Sequence, residues 1–505
     1  MRLTLSASLL ALTLFSAIVS AAALTPAVIS MMWRYRVLDA PDGVRKLHGR
    51  TVPLAGGLAV LLGCLIACVV TLSIQNRFVL DTPDKRQFTV GLLLSSLWIC
   101  ALGLVDDRGL LRGRQKFFGH IFAALILTAS GCVISRLEFM NVRLELGILS
   151  VPFTIFWIVG AINAVNLMDG VDGLATSIGA ILSGTFALMA LITGHDLEAV
   201  IAVALCGALI GFLPYNFPRA RIFLGDTGSM LIGLLLGTLA LRSSVKSQAT
   251  LALAAPVAVL SVLIFDVMMA ILRRKLTGRS LYSTDRGHLH HRLGQMGFPP
   301  AGVVLFVSLA CAMCCAGALA SLTHRNDWLA ISVAATVILS CMAARVFGHN
   351  ELRLLVNRTK SFLRSLFRIS SPCGTKGLHS ALQIQGKLDW TPIWRELKEF
   401  ADSFDVTHIE LQISAPRVHE HYHAEWTRRS VEADRLWNTT LPLVNQGSVI
   451  GRIRMSGEIS QAHGRCITDH VAELIGGLKP MELQIEDLVN NGSATTLTHL
   501  TSEAA

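Results

Sequence analysis

Long apolar segments alternate with short polar ones over residues 1–348. A helix that crosses the hydrocarbon of a membrane needs roughly 20 apolar residues. The first segment is about twice the ~7 to 15 apolar residues of a cleaved signal peptide, so it is interpreted as a membrane span. The pattern predicts eleven spanning helices, at 3–33, 54–74, 88–105, 117–134, 148–165, 174–194, 197–215, 227–241, 249–272, 301–322 and 328–348.

The remainder of the chain has no apolar segment of that length. Apolar and polar residues alternate over 407–414 and 448–455, as in half-buried β-strands. Apolar residues recur at helical spacing over 467–489. We therefore expect three parts: a membrane domain over 1–348, a small α/β domain over 349–489, and a disordered tail over 490–505, where Asn, Ser and Thr dominate.

Composition supports the membrane class. Hydrophobic residues make up 52% of the chain and charged residues 15%, and the mean hydropathy is +0.55, which excludes a soluble globule. The net charge of +10 would suggest nucleic acid in a soluble protein, but no nucleic-acid-binding motif is present. Anionic headgroups and the charge bias of cytosolic loops explain it instead. The predicted fold class is an all-α polytopic membrane protein with about eleven transmembrane helices and a small C-terminal cytosolic α/β domain.

The loop charges predict the orientation. Every loop that carries a candidate motif follows an odd-numbered span, so these loops lie on one face. That face holds seventeen Lys and Arg residues, and the opposite face holds nine. Because cationic loops stay in the cytosol, the motif face and the C-terminal domain are predicted to be cytosolic.

The stretch from Asn163 to Ala175 carries Asn163, Asn166, Asp169 and Asp172 between two apolar segments. Charged and amide groups beside hydrocarbon are costly and usually mark a substrate or ion site. An ordinary turn is the alternative, since Asp-Gly pairs form turns. Two glycines alternate with the polar groups and let backbone approach a ligand closely, which favours the site.

Other loops on the same face repeat this chemistry. The first contains Lys46 and His48, and the second contains Asp106 and Asp107, followed by Lys116. Carboxylates beside cations suit a magnesium-phosphate site, because the carboxylates bind the metal and the cations bind phosphate oxygens. A solvated charged loop is the alternative.

Two later segments extend the pattern. Asp226 lies in a Gly-Asp-Thr-Gly-Ser segment at a predicted helix start, where a capping aspartate is the plainer interpretation. The loop before the tenth span carries His288, His290, His291 and Arg292. Zinc is conceivable there, but the loop has no cysteine, and cationic and neutral donors suit a diphosphate equally well.

These motifs, in this order, resemble the polyprenyl-phosphate N-acetylhexosamine-1-phosphate transferases. The resemblance covers residues 30–348, and it rests most on Asn-x-x-Asn-x-x-Asp-Gly-x-Asp-Gly-Leu-Ala and Asp-Arg-x-His-Leu-His-His-Arg-Leu. The histidine motif and Asp266 resemble the bacterial branch that transfers GlcNAc-1-phosphate to undecaprenyl phosphate. For Asp266 the alternative is a membrane aspartate neutralised by Arg273 and Arg274. One departure is His120, where the family pattern has a glutamine.

The resemblance implies roles for individual residues. It implies a site for Mg²⁺, or Mn²⁺, with Asp226 as the leading ligand and Asn166 as the second. The catalytic candidates are Asp106, Asp107, Asp169, Asp172 and His290. The substrate-binding candidates are Lys46, His48, Lys116, Asn163, His288, His291 and Arg292.

The implied reaction transfers GlcNAc-1-phosphate from UDP-GlcNAc to undecaprenyl phosphate and releases UMP, as the first lipid-linked step of a cell-envelope polysaccharide. The implied setting is the inner membrane of a bacterium, with membrane lipids as surroundings and no nucleic acid as partner; a homodimer stays open. One alternative is transfer of phospho-N-acetylmuramoyl-pentapeptide. Transport of an anionic solute is another, although a transporter places its charges near the bilayer midplane. A scaffold that anchors the C-terminal domain would need no acidic cluster.

Overall fold

The chain divides into two compact units, Met1–Lys275 with Ser280–His349, and Leu276–Arg279 with Asn350–Ala505. The computed structural model describes residues 6–40, 50–79, 82–139, 142–243, 245–247, 250–276, 287–349, 351–352, 355–356, 359, 378–385, 388–403, 406–415, 420–427, 436–445, 448–458, 476, 483–485 and 487. The predicted helix over 467–489 lies mostly outside these residues, and the predicted tail lies wholly outside them.

The first unit is mostly helical. Its helices are α1 (Ala7–Arg34), α2 (Gly57–Val79), α3 (Pro83–Asp106), α4 (Gly113–Ala129), α5 (Ser150–Met168), α6 (Leu174–Thr193), α7 (Asp196–Asn216), α8 (Gly225–Arg242), α9 (Ala254–Val259), α10 (Ser261–Leu276), α11 (Leu289–Gln295), α12 (Pro300–His324) and α13 (Asp327–Ala343).

Seven helices in the described part of the chain are long and apolar enough to cross a membrane, namely α1, α2, α3, α5, α6, α7 and α12. The helix α13 is apolar but shorter. The unit is therefore that of a polytopic membrane protein, as the apolar segments predicted.

The span predicted over 328–348 is too long, because α13 ends at Ala343. Two further predicted spans differ from the observed helices. The segment predicted as one span over 249–272 instead forms a short strand and then two helices, α9 and α10, that are separated at Leu260. The span predicted over 117–134 ends early, because α4 stops at Ala129 and Gly131 adopts a positive φ of 89°. In both places part of the apolar segment has non-helical backbone, and hydrophobicity alone does not distinguish helical from non-helical apolar residues.

The membrane unit also contains strands, which corrects the all-α prediction. The strands β1 (Leu38–Asp39) and β2 (Val52–Pro53) form an antiparallel pair. A second sheet has the order β4-β3-β6-β5, with β3 at Arg136–Phe139, β4 at Val142–Glu145, β5 at Val245–Ser247 and β6 at Thr250–Ala252. The connections after α4 and α8 are thus joined by backbone hydrogen bonds.

The helix α8 lies at the centre of the unit. Every residue from Thr227 to Leu241 is buried, and α2, α3, α5 and α6 pack around it. A helix that is apolar on all sides suits such a core. Its first turn instead carries Asp226, so the polar start of the most buried helix sets the place of the site.

The far end of α8 is held by an ion pair between a buried glutamate and an arginine that is 29% exposed. The Nη2 and Nε atoms of Arg242 lie 2.7 Å and 2.8 Å from Oε1 of Glu198 in α7. The Glu198 side chain is only 2% exposed. The Arg242 guanidinium also lies 4.2 Å above the centre of the Phe88 ring in α3. Three helices therefore meet at one charged contact.

We expect Arg242→Met to lower the unfolding free energy by about 3–5 kcal/mol, because Glu198 would be left buried without a cation. The measurement is the thermal unfolding midpoint of the detergent-purified protein. Arg136→Met is the matched control: its ion pair with Glu145 spans 3.1 Å, but the side chains are 52% and 74% exposed. Such a pair contributes about 0–1 kcal/mol. Equal shifts in the two variants would contradict this prediction.

The second unit is an antiparallel sheet with a helix on one face. The strand order is β10-β11-β8-β9-β7, with β7 at Leu378–Gln385, β8 at Val406–Ala415, β9 at Glu420–Thr427, β10 at Leu436–Asn445 and β11 at Ser448–Glu458. The helix α14 (Thr391–Ser403) contacts β8. Its Trp394 and Leu397 share one buried core with Ile409, Leu411 and Met455. Both strands predicted from alternation are confirmed.

Candidate functional site

The predicted site residues come together where α3 and α5 end and where α4 and α8 begin. Asp106 is the last residue of α3, Lys116 lies in the first turn of α4, and Asp226 is the second residue of α8. Lys46 and His48, both predicted to bind substrate, lie outside the described residues.

Glycines allow α2 and α3 to approach the start of α8. A Cβ atom on Gly57 would lie 2.3 Å from the Cα atom of Gly228, and one on Gly103 would lie 2.4 Å from the Cα atom of Thr227. Backbone cannot move aside for such a contact, so a larger residue at either position would push the helices apart. The predicted helix start at Asp226 is confirmed.

Lys116 bridges two carboxylates from different helices. Its Nζ atom lies 2.7 Å from Oδ2 of Asp106 and 2.9 Å from Oδ1 of Asp226. The three side chains are 19%, 12% and 31% exposed, so the contact is screened little by water. The lysine thus joins α3 and α8 through charge-assisted hydrogen bonds.

Asn166 fixes the other side of the Asp226 carboxylate. Its amide nitrogen donates a hydrogen bond to Oδ1 of Asp226 and a second one, at 2.9 Å, to Oγ of Ser229. Asn166 lies in the last turn of α5, and both of its partners lie in α8. The amide therefore sets the orientation of the carboxylate relative to α5.

Asn163 lies one turn earlier, beside the unexpected histidine. Its Nδ2 atom donates to the carbonyl oxygen of Val159 at 2.7 Å and lies 3.4 Å from Nδ1 of His120. His120 is fully buried, and its Nε2 atom lies 3.0 Å from Sδ of Met230. His120 therefore packs between α4, α5 and α8 behind the carboxylates.

Asp107 caps the start of α8. Its carboxylate accepts hydrogen bonds from the backbone nitrogen atoms of Asp226, at 2.7 Å, and Thr227, at 3.2 Å. It also accepts one from the Thr227 hydroxyl, at 2.6 Å. Burial raises the pKa of Asp107 to about 6, although these donors favour the charged form. Both of its oxygens are engaged, so the structure gives Asp107 a part in holding Asp226.

Asp169 and Asp172 have different surroundings. Oδ2 of Asp172 accepts a hydrogen bond from the backbone nitrogen of Ala220 at 3.0 Å, which ties the turn after α5 to the connection before α8. Among the described residues, no group hydrogen bonds to the Asp169 carboxylate. Burial raises the pKa of Asp169 well above its usual value, and the charges of Asp226 and Asp107 raise it further.

The donor set suits a divalent cation. Lys116 brings one positive charge to four carboxylates, those of Asp106, Asp107, Asp169 and Asp226. Within the described ranges, no three His, Cys, Asp or Glu side chains form a metal-binding group. Magnesium commonly takes only one or two protein carboxylates and completes its shell with water and substrate phosphates. Oδ1 of Asp226 accepts from Lys116 and Asn166, so Oδ2 is the oxygen of Asp226 that would fit such an ion.

The histidine motif reaches the same region. His290 is 1% exposed, and a Cβ atom on Gly170 would lie 2.2 Å from its Nε2 atom, so the ring rests on the residue after Asp169. Burial lowers the pKa of His290 well below its usual value, and the neighbouring His291 and His288 lower it further. The His290 ring is therefore neutral at pH 7.

We expect Gly170→Ala to reduce activity by about 10²-fold, because the new methyl group would displace the His290 ring and a misplacement of about 1 Å can have that effect. The measurement is kcat/KM of the purified protein. Gly160→Ala in α5 is the control, since nothing lies within 4 Å of its Cβ position. Full activity of Gly170→Ala would show that the position of the His290 ring does not matter for activity.

Sequence reasoning missed several residues that hold the site. Thr227 and Ser229 were noticed only as part of the motif around Asp226, yet they hydrogen bond to Asp107 and Asn166. Asp266 was singled out by resemblance, with neutralisation by arginines as the alternative, but its partner was not predicted: its carboxylate contacts His288 at 2.7 Å. An apolar segment that contains a single carboxylate was the available signal, because such a group requires a partner.

These features define a polytopic membrane protein that gathers carboxylates, a lysine and histidines at the ends of its helices, a set suited to phosphate-bearing substrates. The sequence profile of glycosyl transferase family 4 matches residues 89–244. That range includes every predicted site residue from Asp106 to Asp226, and the histidine motif follows it.

Individual relatives extend the match. A probable undecaprenyl-phosphate N-acetylglucosaminyl 1-phosphate transferase of Bacillus subtilis is 34% identical over 288 residues, which are 57% of this chain and 77% of that protein. A decaprenyl-phosphate N-acetylglucosaminephosphotransferase of Mycolicibacterium smegmatis is 37% identical, over 52% of this chain and 70% of that protein. A phospho-N-acetylmuramoyl-pentapeptide-transferase of Staphylococcus aureus is 30% identical, over 50% of this chain and 80% of that protein. The chain belongs to glycosyl transferase family 4.

Proposed function

We propose that the protein transfers N-acetylglucosamine-1-phosphate from UDP-GlcNAc to undecaprenyl phosphate and releases UMP, as the first lipid-linked step of a cell-envelope polysaccharide. The observation that carries this proposal is the Lys116 bridge between Asp106 and Asp226 at the buried start of α8. The name of the Bacillus subtilis relative supports the same sugar and acceptor.

The reaction brings an anionic lipid phosphate to an anionic sugar diphosphate, so like-charge repulsion dominates the barrier. A bound Mg²⁺ or Mn²⁺ would polarise the diphosphate and neutralise charge on the leaving UMP. Asp226 and Asn166 would hold that ion. Lys116 keeps Asp226 ionised and oriented, and its ammonium group offers positive charge to phosphate oxygens.

The remaining side chains divide between binding and positioning. Asp106 would face the lipid phosphate, while Asp107 holds the start of α8. Asp169, whose pKa is raised well above its usual value by burial and by the neighbouring carboxylates, would exchange a proton with a substrate group. His290 contributes a neutral ring beside Asp169, and His288, His291 and Arg292 would contact the diphosphate or the sugar.

A sugar competition assay tests the proposed substrate. The purified protein would receive undecaprenyl phosphate with equal amounts of UDP-GlcNAc and UDP-MurNAc-pentapeptide. We expect only the GlcNAc nucleotide to be consumed, in line with the 34% and 37% identities to the GlcNAc relatives and the 30% identity to the pentapeptide relative. Consumption of the pentapeptide nucleotide alone would assign the protein to the alternative reaction.

The proposal includes an orientation in the inner membrane of a bacterium. Eleven crossings would be made by α1 to α8, by α9 and α10 together, by α12 and by α13, although only seven of the described helices are long and apolar enough to cross by themselves. An odd number of crossings would place the site and the C-terminal unit in the cytosol. The charge asymmetry of the loops supports this orientation. The carboxylates lie at helix ends, whereas a transporter would hold them near the bilayer midplane. A homodimer stays a prediction, which the mass of the purified protein would test.

The crossing number predicts opposite compartments for the two chain ends. A reporter enzyme fused before Met1 should be active only outside the cytosol, and one fused after Ala505 should be active only inside it. As the control for expression, each end is fused in turn to both reporters, the one that is active outside the cytosol and the one that is active inside it. Reporters that place the two ends on the same side would exclude an odd number of crossings.

A further inference from the structure

Two buried charged residues lie on one face of α10. Asp266 and Arg273 are seven residues apart, so they are about two helical turns apart on the same side of the helix. Asp266 is 0% exposed and Arg273 is 3% exposed. The sequence assigned Asp266 by resemblance, with neutralisation by arginines as the alternative, and neither interpretation predicted that Asp266 and Arg273 both bind the segment that leads into α11.

Asp266 accepts two hydrogen bonds from this segment. Its Oδ2 atom lies 2.7 Å from Nδ1 of His288, and its Oδ1 atom lies 2.8 Å from the backbone nitrogen of Leu289. A carboxylate only accepts hydrogen bonds, so Nδ1 of His288 must carry the proton. One side chain thus fixes both the protonated nitrogen of the ring and the first backbone group of α11.

Arg273 holds the residue before His288. Its Nη2 atom donates to the carbonyl oxygen of Gly287 at 2.9 Å. A Cβ atom on Gly287 would lie 1.7 Å from Nη1 of Arg273, so a larger residue at this position would displace the guanidinium from its present place. Both ends of the segment Gly287–Leu289 therefore hydrogen bond to side chains of α10.

The contact continues from this segment to the site. The rings of His288 and His290 are parallel within 4°, with their centres 6.0 Å apart, and the centres of His290 and His291 are 4.2 Å apart. His290 then rests on Gly170, next to Asp169. A displacement of His288 would pass through α11 to the residues beside the carboxylates.

We propose that Asp266 is a positioning residue. It holds His288 with the proton on Nδ1 and fixes the start of α11, so that His290, His291 and Arg292 are placed in the site of the nucleotide sugar. This inference rests on the proposed function for its effect on catalysis, but the state of the His288 ring can be measured without it.

The substitution Asp266→Asn would separate the contact with the His288 ring from the contact with the backbone nitrogen of Leu289. His288 and Leu289 face different oxygens of Asp266, and the amide has an oxygen at only one of these two positions, so it can replace one contact as an acceptor but not the other. If the oxygen faces Leu289, the amide nitrogen donates to Nδ1 of His288 and moves the ring proton to Nε2. Carboxylates that orient a histidine elsewhere contribute about 10–100-fold to function, and we expect Asp266→Asn to lower kcat/KM for UDP-GlcNAc by that factor. The KM for undecaprenyl phosphate should not change.

The first measurement is ¹⁵N NMR of protein labelled at its 16 histidines. The spectrum of His288→Gln identifies the His288 signals by difference. We expect protonated Nδ1 in the wild type and protonated Nε2 in Asp266→Asn. A wild-type His288 that carries its proton on Nε2 alone would overturn the proposal, whether or not the variant folds.

The second measurement is steady-state kinetics with both substrates varied. Asp84→Asn, an exposed aspartate in the first turn of α3, is the matched control and should behave as the wild type. Unchanged kcat/KM for UDP-GlcNAc in Asp266→Asn would overturn the positioning role. An inactive wild type with the expected NMR spectrum would instead count against the proposed function, while the Asp266–His288 pair would stand.

Discussion

Asp226→Asn is expected to lower kcat by roughly 10³-fold while the protein still inserts into the membrane and folds. The substitution keeps the size of the side chain and removes its charge. Asp226 is held by Lys116 at 2.9 Å and by Asn166, at the start of the most buried helix. The removal of a charged group that holds a catalytic metal affects the transition state far more than the fold.

Metal dependence provides the companion measurement. EDTA should inactivate the wild type, and added Mg²⁺ should restore its activity. In Asp226→Asn the Mg²⁺ concentration for half-maximal residual activity should rise. Full activity in the variant, or a wild type that is insensitive to the chelator, would remove Asp226 from the metal and reopen the roles of Asp106 and Asp107.

Lys116→Met is expected to lower kcat/KM by roughly 10²-fold, with the opposite effect on metal dependence. The ammonium group lies between Asp106 and Asp226, so its loss leaves two carboxylates facing each other without a cation. Substrate phosphates would meet uncompensated negative charge, which lowers activity. Mg²⁺ would no longer compete with the ammonium group, so the Mg²⁺ concentration for half-maximal activity should fall.

Arg114→Met is the matched control for Lys116→Met. Arg114 lies in the same first turn of α4, but it is exposed. We expect its kcat/KM to stay within about 2-fold of the wild type, because exposed charges interact weakly through water. A similar loss in both variants would mean that the general charge of the loop matters and the bridge does not.

The sequence predicted the parts of the fold that depend on long apolar segments. The helices α1, α3 and α7 are examples, because a run of about 20 apolar residues permits few other structures in a membrane. The strand β3 was missed, since its apolar residues lie in a short run that suits a strand or a helix equally well. The strand β6 and the break at Leu260 were missed because both lie within one long apolar segment, 249–272, and hydrophobicity does not show where a helix begins or breaks within such a segment.

In the candidate site, too, some features could be predicted from the sequence and others could not. Because the motif loops share one face, Asp106, Lys116 and Asp226 could be expected near each other from their loop positions alone. The individual contacts between these side chains could not be predicted, because each contact joins residues that are far apart in the chain. The Asp107 cap on α8 and the Asp266 contact with His288 depend on helix packing, which periodicity does not encode.

The most direct test follows the β-phosphate of the sugar nucleotide. Purified protein would be incubated with undecaprenyl phosphate, Mg²⁺ and UDP-GlcNAc labelled at the β-phosphorus, and the lipid and aqueous phases would be separated. Transfer of the phosphosugar predicts that the label enters the lipid phase while UMP appears in water. Label that stays in water as UDP would mean transfer of the sugar alone and would contradict the proposed reaction at its central step.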